Sequence, residues 1–80
     1  MKQAFSLAKA GDWQRAAHIW RPLASRPENG RLAGKAAYNL AVASEALGLP
    51  KVAYDWAKKA YVDYGIGPAV DYLRILPRPE

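Results

Sequence analysis

The sequence has 80 residues, a formal net charge of +5 and no cysteine. A chain of this length forms one small domain, and without cysteine it holds neither a disulfide framework nor a thiolate metal site. No apolar run approaches the roughly 18 residues that span a bilayer, so we expect no membrane insertion of this segment.

Hydrophobic residues make up 51% of the sequence, but many of them are alanines. Alanine buries little apolar surface, so we expect the larger side chains to carry most of the core. The expected anchors are Phe5, Trp13, Ile19, Trp20, Leu23, Leu40, Leu47, Trp56 and Leu73. The many alanines predict helices that pack closely against each other.

The first predicted hairpin covers about residues 2–24. Gly11 closes its first helix as a C-terminal cap, and the carboxylate of Asp12 starts its second helix, about residues 13–23. Pro22 is expected to break or kink the last turn of that helix, because proline lacks the backbone N–H. The first helix begins with no visible cap, as expected of a domain excised from a longer chain.

The second predicted hairpin covers about residues 31–64 and follows a polar loop with strong turn signals. Gly48 ends its first helix, and Pro50 stands in the first turn of its second helix, where proline is tolerated. The apolar stripe of the first of these helices is predicted to be Leu32, Ala36, Leu40, Ala43 and Leu47.

The predicted single domain, residues 1–76, ends with a fifth helix of about residues 68–76, which Pro68 opens. Residues 77–80 are predicted to form a tail. The whole domain is therefore expected to be all-α, with about five helices.

A repeated pattern links the two hairpins. Gly11 and Gly48 lie 37 positions apart (48 − 11), and an alanine follows each of them five residues later. This period lies near the roughly 34 residues of a tetratricopeptide repeat, or TPR. A set of residues in the second copy resembles the TPR motif: Tyr38, Asn39, Leu40, Ala41, Ala43, Gly48, Ala53, Trp56 and Ala60. The resemblance implies antiparallel helical hairpins in a short right-handed solenoid.

Several segments also resemble the C-terminal helical region of an uncharacterised family of TPR-like lipoproteins of Bacteroidetes. The similarity covers nearly the whole chain and is clearest in Gly11-Asp12-Trp13, Ile19-Trp20, residues 37–43, Glu45, Trp56-Ala57 and residues 72–76. It implies a location in the cell envelope, the alternative being the cytoplasm. It implies no activity.

The resemblance to TPR proteins also predicts a binding surface. In TPR arrays the first helix of each hairpin lines a concave face that binds peptides or partner helices. Projected onto this chain, the groove contains Lys35, Tyr38, Asn39, Val42 and Glu45, flanked by Phe5 and Tyr72. The implied partner is a protein or peptide, and no cofactor is expected. The alternative is that Tyr38 and Phe5 only pack between neighbouring helices.

No residue set in the sequence predicts a catalytic or metal site, so we do not expect an enzyme. His18, the only histidine, has no carboxylate or cysteine at a recognised metal spacing. Asn39 matches a position that holds a partner's terminal carboxylate in chaperone-binding TPR proteins. The corresponding positions of the neighbouring helices, including Phe5 and Ala69, lack the required basic and amide groups, so we expect no complete carboxylate clamp.

Two other functions remain open. The net charge of +5 suits a basic nucleic-acid-binding helical domain. The 12 lysines and arginines are spread along the chain, however, and only Lys58 and Lys59 are adjacent, so solvated helix faces explain the charge as well. The other alternative is a terminal capping or self-association segment of a longer solenoid, which includes a homodimer.

Overall fold

Five α-helices make up most of residues 2–76, the part of the chain that the computed structural model describes. They are α1 (Lys2–Lys9), α2 (Trp13–Ala24), α3 (Arg31–Ala46), α4 (Pro50–Val62) and α5 (Pro68–Ile75), with a short 3-10 helix at Pro27–Asn29. No strand occurs in this part of the chain. The prediction of an all-α fold of helical hairpins is therefore confirmed. The predicted tail, residues 77–80, lies outside the described residues.

Gly11 and Gly48 end α1 and α3 with the same backbone geometry. Their φ angles are +83° and +76°, in the left-handed region that favours glycine. In each case the N–H after the glycine donates to the carbonyl oxygen four residues before the glycine, at 2.8 Å and 2.9 Å. These bonds satisfy carbonyl groups at the helix end, as in a Schellman cap. The two glycines that mark the sequence repeat thus form equivalent turns.

The predicted helix starts are also confirmed. The side chain of Asp12 accepts a hydrogen bond from the backbone N–H of Arg15 at 3.3 Å and so caps α2. Pro50 and Pro68 are the first residues of α4 and α5. At these positions the missing N–H of proline costs nothing, because the first N–H groups of a helix have no partner within it.

The break expected at Pro22 does not occur, because α2 continues through this residue to Ala24, and the other expected effect, a kink, stays a prediction. Pro22 lies near the end of the helix, where its missing N–H removes one backbone hydrogen bond and few turns follow. The next turn still closes, since the backbone N–H and the hydroxyl of Ser25 both donate to the carbonyl oxygen of Arg21, at 3.1 Å and 2.8 Å.

The core lies mainly where α2 and α4 pack against α3. Most of its fully buried residues are alanines on facing helices: Ala4, Ala16, Ala24, Ala33, Ala36, Ala37, Ala41, Ala43, Ala53, Ala57, Ala60 and Ala69. Among the large side chains of residues 3–76, only Trp20 and Leu40 are fully buried. Small side chains let the helices approach closely, and this leaves little enclosed space for larger ones.

Trp20 and Leu40 are therefore confirmed as core anchors, but two of the other seven residues predicted from side-chain size need correction. Phe5 is 48% exposed, and Leu47 is 37% exposed. Leu32, at the start of the predicted stripe on α3, is 39% exposed, whereas the central Leu40 is 1% exposed. The stripe is buried in the middle of α3, where two helices cover it, and is partly open at its ends.

Candidate binding face on α3

A close contact positions the first half of α3. At Gly34, an added Cβ atom would lie 2.7 Å from the Cβ of Tyr64 and 2.8 Å from side-chain carbons of Ile66. The hydroxyl of Tyr64 also donates a hydrogen bond to the carbonyl oxygen of Ala24 at 2.9 Å. The link between α4 and α5 is thereby fixed against α3 and the end of α2. A glycine within a helical pattern can signal such an approach, but the sequence interpretation did not assign Gly34 this role.

Five of the predicted site residues lie on α3. Lys35 and Glu45 are exposed, and Tyr38, Asn39 and Val42 are half-buried. Their spacings of three, four and seven residues place them on one side of the helix. We call this surface the α3 face. It carries a positive charge near its beginning, apolar and aromatic groups in the middle, and a negative charge near its end.

Tyr72 lies beneath the α3 face instead of flanking an open groove. Its side chain is only 9% exposed, and its ring packs against that of Tyr38 with 5.7 Å between the centroids. Its hydroxyl is 3.0 Å from Oε1 of Glu45 and 3.5 Å from the carbonyl oxygen of Ala41. Burial, followed by the hydrogen bond and charge of Glu45, raises the pKa of Tyr72 above its ordinary value. The neutral hydroxyl therefore holds Glu45 in place.

Phe5, on α1, packs against α2. Its ring meets that of Trp20 edge to face, with centroids 5.7 Å apart, while 48% of the residue remains exposed. Phe5 and Val42 occupy equivalent positions of the two hairpins, since they also lie 37 residues apart (42 − 5). The structure thus brings Tyr38, Glu45 and Tyr72 into one contact group and leaves Phe5 on the neighbouring hairpin.

A cleft of about 750 Å³ opens at the beginning of the α3 face. Its wall on α3 is formed by Arg31 and Lys35, and the opposite wall by residues 63–68. Pro27 and Gly30 complete the lining. Lys35 therefore belongs both to the α3 face and to the cleft. The sequence interpretation missed Arg31, although its spacing of four residues from Lys35 places both on the same side of the helix.

Residues 2–76 contain no group of three histidine, cysteine or acidic side chains that could hold a metal ion. His18 is exposed, on a shallow groove between α1 and α2 that Leu7 and Ile19 also line. None of the helices in the described part of the chain has the length and apolar character needed to cross a membrane.

The sequence profile of one family, described as Domain of unknown function (DUF6340), matches residues 2–78. The chain belongs to this family. The match takes in all of α1 to α5, and so includes both hairpins, the α3 face and the cleft of the DUF6340 chain. No curated protein and no solved structure matches the chain. The family description assigns no activity, so the geometry of the α3 face is the main guide to function.

Proposed function

We propose that this DUF6340 domain is a non-catalytic protein–protein interaction or scaffold module, which binds a peptide or a partner helix on the α3 face. The observation that carries the proposal is the arrangement of exposed and half-buried groups on that face. Tyr38 and Val42 offer apolar surface in the middle, and Lys35 and Glu45 offer charges on either side. An apolar centre with a polar rim is the usual anatomy of a protein interface.

The contacts of Tyr72 beneath the α3 face favour binding, because they order side chains of that face. Tyr72 packs against Tyr38 and holds the carboxylate of Glu45 through its hydroxyl. Side chains that are ordered before binding lose less conformational entropy when a partner arrives. A tyrosine such as Tyr38 also contributes a large contact area with few rotatable bonds.

The charge pattern favours a protein partner over a nucleic acid. Glu45 stands on the α3 face itself, and Asp63 lines the cleft at its beginning. A nucleic-acid site needs a continuous basic patch that neutralises successive phosphates. The mixed charges of the α3 face suit a peptide, which can carry both signs.

The proposal is tested by selecting binders of the wild-type domain from a random-peptide display library. The affinity of each recovered peptide is then measured for Val42→Thr and for the matched control Val52→Thr. Val42 lies on the α3 face, and Val52 is an exposed residue on α4. Threonine has nearly the shape of valine but places a hydroxyl in the contact, so we expect Val42→Thr to weaken binding about tenfold and Val52→Thr to leave it unchanged.

Circular dichroism of both variants checks that the helices are intact. Tyr38→Ala is a less direct probe, because its ring also packs against Tyr72 and its loss affects folding as well as binding. Failure to recover any peptide, or equal weakening by the two valine substitutions, would contradict the proposed function.

A further inference from the structure

We infer that the cleft at the beginning of α3 binds an acidic segment of the partner, with a partner carboxylate placed between Arg31 and Lys35. This inference rests on the proposed function, because Lys35 makes the cleft continuous with the α3 face. The inference adds two properties to the proposed function: the partner segment is acidic, and its acidic end lies at the beginning of α3.

The two basic side chains are placed to act together. Arg31 and Lys35 lie one helical turn apart, both are exposed, and both line the same cleft. Among the described residues, the ion pairs within 4.0 Å join Arg15 to Asp12 and Arg74 to Asp71. Neither cation of the cleft is therefore engaged by a carboxylate of residues 2–76.

The cleft also limits the kind of anion that fits. Asp63 is the acidic residue of the lining, so the three charged side chains of the cleft sum to +1 (2 − 1). Further along the same face stands the carboxylate of Glu45. A long run of phosphates would extend along the face to Glu45, whereas one or two acidic side chains in the cleft would meet the two cations and stop short of that carboxylate.

The spacing along α3 sets the expected order of groups in the partner. Seven residues separate Lys35 from Val42, which corresponds to about 10 Å along a helix. A peptide in the polyproline II conformation covers that distance in about three residues and, with three residues per turn, presents residues three positions apart on the same side. A fitting segment therefore has an acidic residue about three positions from an apolar residue, with the acidic end in the cleft and the apolar residue over Val42.

The test uses the full chain and peptides recovered from the random-peptide library. A recovered peptide is labelled with fluorescein, and its affinity is measured by fluorescence anisotropy at several salt concentrations. The double variant Arg31→Gln with Lys35→Gln is compared with the matched control Lys51→Gln with Lys58→Gln, whose lysines are exposed on α4. The thermal unfolding midpoints of both variants are measured to check that they fold.

We expect the recovered peptides to carry aspartate or glutamate at the stated spacing. The cleft variant should bind them about five- to tenfold more weakly, with a flatter salt dependence, and the control should bind them as the wild type does. Changing the acidic residues of the peptide to amides should produce the same loss and should remove the difference between the wild type and the cleft variant.

The outcomes separate this inference from the proposed function. Neutral peptides that depend on Val42 but bind equally to the wild type and the cleft variant would overturn the inference and leave the proposed function intact. Recovery of no peptide would overturn both. A uridine oligonucleotide that binds more tightly than any peptide, and depends on Arg31 and Lys35, would overturn the inference in favour of a nucleic acid.

Discussion

Gly34 and Tyr64 lie so close together that a Cβ atom at Gly34 would come within 2.7 Å of the Cβ of Tyr64. The opposing atom is attached directly to the backbone of Tyr64, so a change of rotamer cannot move it away. Side-chain carbons of Ile66 stand at 2.8 Å from the same point. Only a residue without a side chain lets the link after α4 approach α3 this closely, and Tyr64 and Ile66 of this link also line the cleft.

The first prediction is that Gly34→Ala destabilises the domain. Alanine improves helix propensity by about 1 kcal/mol, but overpacking costs about 1–3 kcal/mol and here requires movement of backbone. The midpoint of thermal unfolding, followed by circular dichroism, should fall. Gly67→Ala is the control, because nothing lies within 4 Å of an added Cβ and its φ of −52° suits alanine. A Gly34→Ala midpoint at or above that of the wild type would show that the contact relaxes easily.

The second prediction concerns the hydrogen bond from Tyr64 to the carbonyl oxygen of Ala24, which joins residues 40 positions apart. Tyr64→Phe keeps the ring and removes the donor, so we expect a loss of about 1 kcal/mol in the free energy of unfolding, measured with urea. Tyr61→Phe is the matched control, since Tyr61 is 43% exposed. Equal stability of the two variants would mean that the bond contributes nothing measurable.

The third prediction compares the loss of stability when either of two leucines of the same helical stripe is changed to alanine. Leu40 is 1% exposed, so Leu40→Ala leaves a cavity and should cost about 2–5 kcal/mol. Leu47 is 37% exposed, so Leu47→Ala should cost less than half as much. Both changes are measured by urea unfolding. Similar costs would indicate that α3 is buried along its whole length, contrary to the structure.

The fourth prediction is a loss of stability at alkaline pH that depends on Tyr72. Burial raises the pKa of Tyr72 above its ordinary value of about 10, so in the folded domain the hydroxyl keeps its proton at a pH where the unfolded chain loses it. The unfolded chain then binds fewer protons, and the free energy of unfolding falls as the pH rises above about 10. Below that pH the contribution is fully present.

Tyr72→Phe should remove this component, so its stability should fall less steeply between neutral and strongly alkaline pH. The measurement is urea unfolding at a series of pH values, with Tyr61→Phe as the control. Parallel pH profiles for the wild type and Tyr72→Phe would exclude Tyr72 as the source.

The sequence by itself determined the local structure of this protein. Gly11 and Gly48 predicted the ends of α1 and α3, and Pro50 and Pro68 predicted the starts of α4 and α5, because each of these signals acts within a few residues of backbone. The helical period likewise placed Lys35, Val42 and their neighbours on one face of α3.

Only the tertiary structure decided which residues are buried and what supports the α3 face. Side-chain size predicted Phe5 and Leu47 as core anchors, but burial depends on which helix covers a position, and the closely packed alanines leave both partly exposed. Tyr72 lies beneath Tyr38, and Tyr64 contacts Gly34, across distances of about 30 residues in the chain. Such contacts have no local period, so the cleft beside Arg31 became visible only when the helices were assembled.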